Sequence, residues 1–264
     1  MKKLLAIILI VASPLTFAAG GHNENLDSVY IDMGDQASLQ NGAKLFVNYC
    51  LSCHSAAYMR YERVATDLDI PLQRLKDNLM FTTEKPGDLM QTSMSSKDAK
   101  KWFGVTPPDL TLVARVRSPE WIYTYLRSFY LDEKSPSGWN NSLFENVAMP
   151  HVMYELQGAP KLMSLPGEGD HDDSSEKHGD AHAAETVDES TYSAGGAVFD
   201  MSKRGKLSNA EFDSSMRDLT NFLVYMGEPA QMSRKKIGVY TLIFLLIFLL
   251  LAMVLKKEYW RDVH

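Results

Sequence analysis

The chain has 264 residues, of which 45% are apolar and 23% charged, so it is long and apolar enough to bury one sizeable core. With 27 basic and 33 acidic side chains its formal net charge is −6, which argues against nucleic acid as a partner. There are only 2 cysteines, too few for a four-thiolate zinc or iron–sulfur site.

From the N-terminus, Lys2 and Lys3 form a basic region, Leu4 to Val11 an apolar one, and Thr16-Phe17-Ala18 a small-residue cleavage site. Residues 1–18 therefore read as a signal peptide, the apolar run being too short to cross a bilayer. Residues 19–233 are the expected exported domain, placed in the periplasm. Leu39, Ala43, Phe46, Val47 and Cys50 follow helical spacing. That helix delivers Cys50-Leu51-Ser52-Cys53-His54, two thiols three positions apart followed at once by an imidazole. Such a motif attaches a c-type haem: Cys50 and Cys53 can add to the two porphyrin vinyl groups, and the His54 ring then lies under the iron. No other cysteine exists, so one covalently bound haem c is expected. A redox dithiol pair is the competing reading, and the adjacent histidine and the export signal both disfavour it.

A second helix is expected from Pro71 to Leu79 with Leu72, Leu75 and Leu79 on one face. Ser118-Pro119 reads as an N-cap followed by proline at the first helical position, with Ile122, Tyr125, Leu126 and Phe129 marking the buried stripe. The iron needs a sixth ligand for low-spin electron transfer, and the chain has 14 methionines, most of them at spacings that suit core filler. Met149 is favoured, because Asn146-Val147-Ala148-Met149-Pro150-His151 is a proline-stiffened loop that can fold across the distal face; Met153 and His151 are the alternatives.

Further along, 9 carboxylates face a single Lys177 between Gly167 and Glu189, a composition that cannot build a core and reads as a flexible acidic insertion, 167–189. His171, His178 and His182 within it could bind a transition metal, but without regular ligand spacing the solvated reading is preferred. Ser208-x-x-Glu211 is a capping box opening a helix with Phe212, Met216, Leu219 and Leu223 inward, closed by Gly227 and Pro229. This helix is expected to pack on the first one near Gly42, where a missing side chain allows close approach. Ile237 to Leu255 is an almost unbroken apolar run, giving a membrane anchor over 234–257 and a tail over 258–264. Basic residues flank both ends, so orientation rests on the signal peptide and the haem, which put the tail in the cytoplasm. Without the leader and everything from Arg234 onward, 19 basic residues face 31 acidic ones, a formal −12 that favours a basic partner. No alternating strand run stands out, so the fold class is mainly α: a cytochrome c-like haem domain with long loops and one C-terminal transmembrane helix.

The haem motif with Ser55 and Tyr61 downstream, the Pro107-Pro108-Asp109-Leu110 block followed by Arg115 and Arg117, and the Ala148-Met149-Pro150 loop stand in a definite order. Together with the helix end from Phe222 to Pro229 and the Arg-Lys-Lys segment before the anchor, this order resembles the cytochrome c1 family over about Gly21 to His264. The resemblance implies His54 and Met149 as axial ligands and an arginine after the Pro-Pro-Asp-Leu block paired with a haem propionate, Arg117 first and Arg115 second. It also implies a redox subunit, not an enzyme by itself, in a single-pass inner-membrane complex with cytochrome b and a Rieske iron–sulfur subunit. Electrons would pass from the Rieske protein to a soluble or anchored cytochrome c. A free-standing anchored cytochrome serving a terminal oxidase or reductase is the alternative. Some family members have a glycine before the methionine and two prolines after it, where this chain has Val147 and Pro150 alone.

Overall fold

Two helices far apart in sequence cross at a glycine. Helix α1 (Gln36–Leu45) starts at Asp35, whose carboxylate accepts the Ser38 amide at 3.0 Å. It meets the long helix Asn209–Gly227 at Gly42: a Cβ there would lie 2.2 Å from the Asp218 carbonyl oxygen and 2.6 Å from Phe222 Cβ. Backbone sits on backbone at this point, and the Phe46 and Phe222 rings meet 5.7 Å apart one turn on. The computed structural model describes residues 25–166 and 190–262, so the expected signal peptide 1–18 and the acidic insertion 167–189, with its three histidines, lie outside the described residues.

After α1 the chain tightens into a π-helical turn, Phe46–Cys50, closed by the Leu51 amide donating to the Phe46 carbonyl at 3.0 Å. There follow β1 (Ala56–Arg60), α2 (Tyr61–Asp67), α3 (Leu72–Asn78), β2 (Leu89–Met90), α4 (Ser96–Phe103), α5 (Val113–Arg117) and α6 (Pro119–Arg127). Next come β3 (Phe129–Leu131), β4 (Trp139–Asn141), α7 (Tyr154–Gln157), β5 (Lys161–Ser164), β6 (Thr191–Ala194), β7 (Ala197–Asp200), α8 (Asn209–Gly227) and α9 (Gln231–Tyr259). The mainly helical class holds, and the caps stand where the sequence puts them: Ser118 accepts the Trp121 amide, and Ser208 and Glu211 form the reciprocal box.

Two expectations need correction. Leu72 does not share the buried face of α3: Leu75 is fully covered while Leu72 is 50% exposed, because Pro71 is the N-cap and Leu72 opens the first turn on the solvent side. Strands are present as well. The described residues form two antiparallel pairs, β1–β2 and β3–β4, and a three-stranded antiparallel sheet in the order β5-β7-β6. The β6–β7 hairpin is among the strands that the sequence reading missed; Thr191 to Ala194 alternates exposed and buried, and Gly195-Gly196 supplies the turn with φ of 58° and 75°.

A buried guanidinium knits the periphery to this frame. Arg127, at the end of α6, reaches Asp27 at 2.5 Å, Asp213 of α8 at 2.7 Å and the Ser193 carbonyl at 3.2 Å. Tyr123 and Tyr192 cover its faces at 4.5 and 5.2 Å. Helix α9 is different in kind: within Ser233–Tyr259 an 18-residue window has a mean hydropathy of 2.9 and is nowhere buried, and the helix is long and apolar enough to cross a membrane.

Gly42→Ala should separate α1 from α8 and cost about 3 kcal/mol, overpacking against backbone leaving little room to relax. The expected fall in melting temperature is roughly 6–12 °C at ~2–4 °C per kcal/mol. A melt indistinguishable from wild type would show that the crossing is not close-packed.

Candidate haem site

The π turn ends on Cys50, and the chain closes on itself at once: the Cys53 and His54 amides donate to the Cys50 carbonyl at 3.0 and 2.8 Å. Cys50 is buried and Cys53 half-buried, both as free thiols. Burial pushes the Cys50 thiol up to about 12, with the neighbouring Cys53 adding to it. A thiol held neutral in this way is not itself an activated thiolate.

The segment after the motif is zipped against the Pro107-Pro108-Asp109-Leu110 block. The Leu110 amide donates to the Ser55 carbonyl at 2.8 Å, and Asp109 accepts the Ala57 and Thr111 amides at 2.7 and 2.8 Å. Thr92 adds a third strap, its hydroxyl donating to the Ser52 carbonyl at 2.7 Å and its amide to the Ser55 hydroxyl at 3.0 Å. Within this clasp His54 Nδ1 lies 2.7 Å from the Pro108 carbonyl oxygen. Burial lowers the His54 pKa below the usual imidazole range, against opposing contributions from the Pro108 hydrogen bond and Asp109. A neutral ring facing a carbonyl through Nδ1 carries its proton there, which leaves the Nε2 lone pair for a metal. A cavity of about 220 Å³ opens beside Cys53, lined also by Ser55, Thr92, Met94, Pro107 and Asp109.

The expected distal loop is fixed by two asparagines that sequence reading did not single out. Asn141 Nδ2 donates to the Tyr125 carbonyl at 2.8 Å while its Oδ1 accepts the Leu143 and Phe144 amides at 3.0 Å. Asn140 Oδ1 accepts the Asn146 amide at 2.9 Å, and Asn146 takes a φ of 59° to enter the loop. Met149 is half-buried, with the Tyr125 hydroxyl 3.5 Å from its Sδ. Burial pushes the Tyr125 phenol well above its usual range, so it is a donor. The two alternative ligands are in the core: Met153 is almost fully covered, and His151 is stacked on Phe129 at 5.2 Å with the Trp139 ring edge-on at 5.0 Å. The pair of buried asparagines in Trp139-Asn140-Asn141-Ser142 is the sequence signal that could have pointed to the loop's anchor.

Of the two candidate arginines, Arg115 is turned toward the end of α8, 3.8 Å from the Glu228 carboxylate and 3.5 Å from the Gly227 carbonyl. Arg117 lies over the Trp121 ring at 5.0 Å and makes no ion pair among the described residues. Large apolar side chains also stay exposed on these same segments, Val105, Leu112, Val116 and Phe144 between 43% and 76%, which suits a surface that an apolar body covers. Two vicinal thiols, an imidazole with a free Nε2, a thioether in an anchored loop and an uncommitted guanidinium are a donor set that fits a c-type haem.

Known proteins agree. The Cytochrome C1 family matches residues 28–188 and 205–263. A protein named cytochrome c1 from Allochromatium vinosum is 48% identical over 264 residues, all of both chains. One named ammonia monooxygenase gamma subunit, from Nitrosomonas europaea, is 41% identical over 100% of this chain and 99% of its own. A third, named cytochrome b/c1, from Bradyrhizobium diazoefficiens, is 24% identical over 87% of this chain and 34% of its own length. The family model matches most of the chain and the Allochromatium protein all of it, so the chain belongs to the cytochrome c1 family of haem-containing electron-transfer subunits.

Proposed function

We propose that the protein relays single electrons from a Rieske iron–sulfur protein to a cytochrome c, as part of a cytochrome bc1 complex in which α9 lies against cytochrome b. The observation that carries this reading is the His54–Pro108 hydrogen bond, which commits Nδ1 and leaves Nε2 for iron. When bound, a c-type haem supplies one ferric/ferrous centre. Cys50 and Cys53 would hold the porphyrin by thioether bonds, His54 and Met149 would supply nitrogen and sulfur ligands to its iron, and the clasp around Ser55 to Thr111 keeps the histidine ring from turning. Arg117 pairs with a propionate; Arg115 has Glu228 and Gly227 as partners and serves the helix end instead. Rigid ligands suit the work, because an electron transfer that moves few atoms carries a low reorganisation barrier.

The same reading places 19–233 in the periplasm after loss of 1–18, the anchor at 234–257 and the tail 258–264 in the cytoplasm. Copurification with cytochrome b and a Rieske protein supports it. Recovery of the chain alone, or with monooxygenase subunits as the name of the Nitrosomonas relative implies for that protein, overturns it.

Met149→Ala should keep haem covalently attached yet give a lower-potential centre that binds carbon monoxide, whereas Met153→Ala should cost about 2–4 kcal/mol of stability through a core cavity and leave the potential alone. Optical redox titration of both variants distinguishes them, and the reverse pattern would move the ligand to Met153. Truncation after Pro229 should release a soluble haemoprotein into the periplasm; a product still integral to the membrane would show a second anchor. Changing the 9 carboxylates of 167–189 to amides at constant length should slow oxidation by a basic cytochrome c at low ionic strength and flatten its salt dependence, since steering charges act over roughly 8–30 Å depending on salt. Superimposable stopped-flow curves across a salt series would leave that segment without a part in docking.

A further inference from the structure

Tyr125 touches the proposed distal ligand through its hydroxyl and is locked by its ring and its backbone. Its ring stacks on Trp121 at 4.9 Å and 11°, meets the edge of Phe129 at 5.1 Å and 72°, and its carbonyl accepts Asn141 Nδ2 at 2.8 Å. Because Asn141 also holds the amides of Leu143 and Phe144, and Asn140 that of Asn146, one turn of α6 fixes both the phenol and the loop bearing Met149. The hydroxyl then ends 3.5 Å from Sδ, the only acceptor it has among the described residues.

A thioether sulfur has two lone pairs and one suffices for a metal. We propose that Tyr125 is a positioning and tuning residue for the electron-transfer centre: its hydroxyl donates to one lone pair of Met149 Sδ, directs the other toward the iron, and biases the centre toward its reduced form. This rests on the reading of Met149 as axial ligand. The bias follows from charge. A hydrogen bond draws density from the sulfur, and the more highly charged oxidised iron depends more on that density than the reduced iron does, so the oxidised form loses more. The rigid ring adds a second effect, since a sulfur held by a fixed donor cannot swing between two pyramidal configurations.

The test uses the full-length, membrane-bound holoprotein with Tyr125→Phe, which keeps the ring contacts and removes only the hydroxyl. The midpoint potential should fall by an amount equivalent to about a three- to fivefold shift toward the oxidised form, ~28–41 mV at 59 mV per tenfold for one electron. The weak long-wavelength methionine-to-ferric-iron charge-transfer band should shift or broaden while the centre stays six-coordinate. A purely structural role would lower the melting temperature and leave potential and band in place, which overturns the proposal. Met149→Ala in parallel separates the two readings: if it keeps the band, Met149 is not the ligand and the parent reading fails; if it loses the band while Tyr125→Phe changes nothing, the tyrosine proposal alone fails. Should Tyr125→Phe not accumulate, incorporation of fluorinated tyrosine, a stronger donor, should raise the potential of the otherwise native protein, and an unchanged value overturns the proposal as well.

Discussion

The structure hangs on the close approach of α1 and α8 at Gly42. The thiol motif is aimed by that crossing, because α1 runs directly into the π turn that ends on Cys50. Polar ties keep it in register: Asp218 accepts from Ser38 at 2.7 Å and from Asn41 at 2.9 Å, and Asn221 reaches the Asp32 carbonyl at 2.8 Å. Helix α8 carries the other side as well. Through Asp213 it holds Arg127, hence the end of α6, hence the helix that bears Trp121 and Tyr125. The proposed proximal and distal ligands therefore answer to opposite faces of one helix, although no residue of α8 is itself proposed to touch the cofactor.

A division of labour follows. Strength resides in aliphatic and aromatic packing around α8, while precision at the site comes from short hydrogen bonds between loops, among them Asp109 to Ala57, His54 to Pro108 and Asn141 to Tyr125. Loops positioned by scaffold helices are where function concentrates, and here each loop is stiffened by an acceptor side chain that satisfies backbone amides a helix or sheet would otherwise satisfy.

How much of this was legible depends on how local the physics is. The thiols and the histidine lie within five residues, α8 announces itself by its capping box, and α9 by apolar length, so all three could be read directly. Strands of two to five residues whose partners lie far along the chain carry little local signal, and β1 with β2 or β5 with β7 went unread. Leu72 was misread because periodicity marks a face but not where the first turn begins. Met149 is preferred over Met153 in the sequence by loop context and by the family resemblance; in the structure Met149 is half-buried and Met153 almost fully covered. Asn140 and Asn141 look like turn residues in sequence; only the fold reveals that they brace a loop, through the Tyr125 carbonyl of α6 and the Asn146 amide.

The sheet order β5-β7-β6 has a topological consequence. Both outer strands run antiparallel to β7, so they are parallel to each other with a strand between them, and Ser164 at the end of β5 and Thr191 at the start of β6 lie on opposite sides of β7. Two strand spacings, about 9.6 Å, separate the outer strands, and parallel neighbours cannot be joined by a tight hairpin. The connection therefore has a minimum length but hardly a maximum, because the entropy of closing a loop grows only with the logarithm of its size. Such a junction is a tolerant port for extra sequence: segments of very different length and composition can be spliced in there while the three strands, and the helix frame behind them, stay as they are.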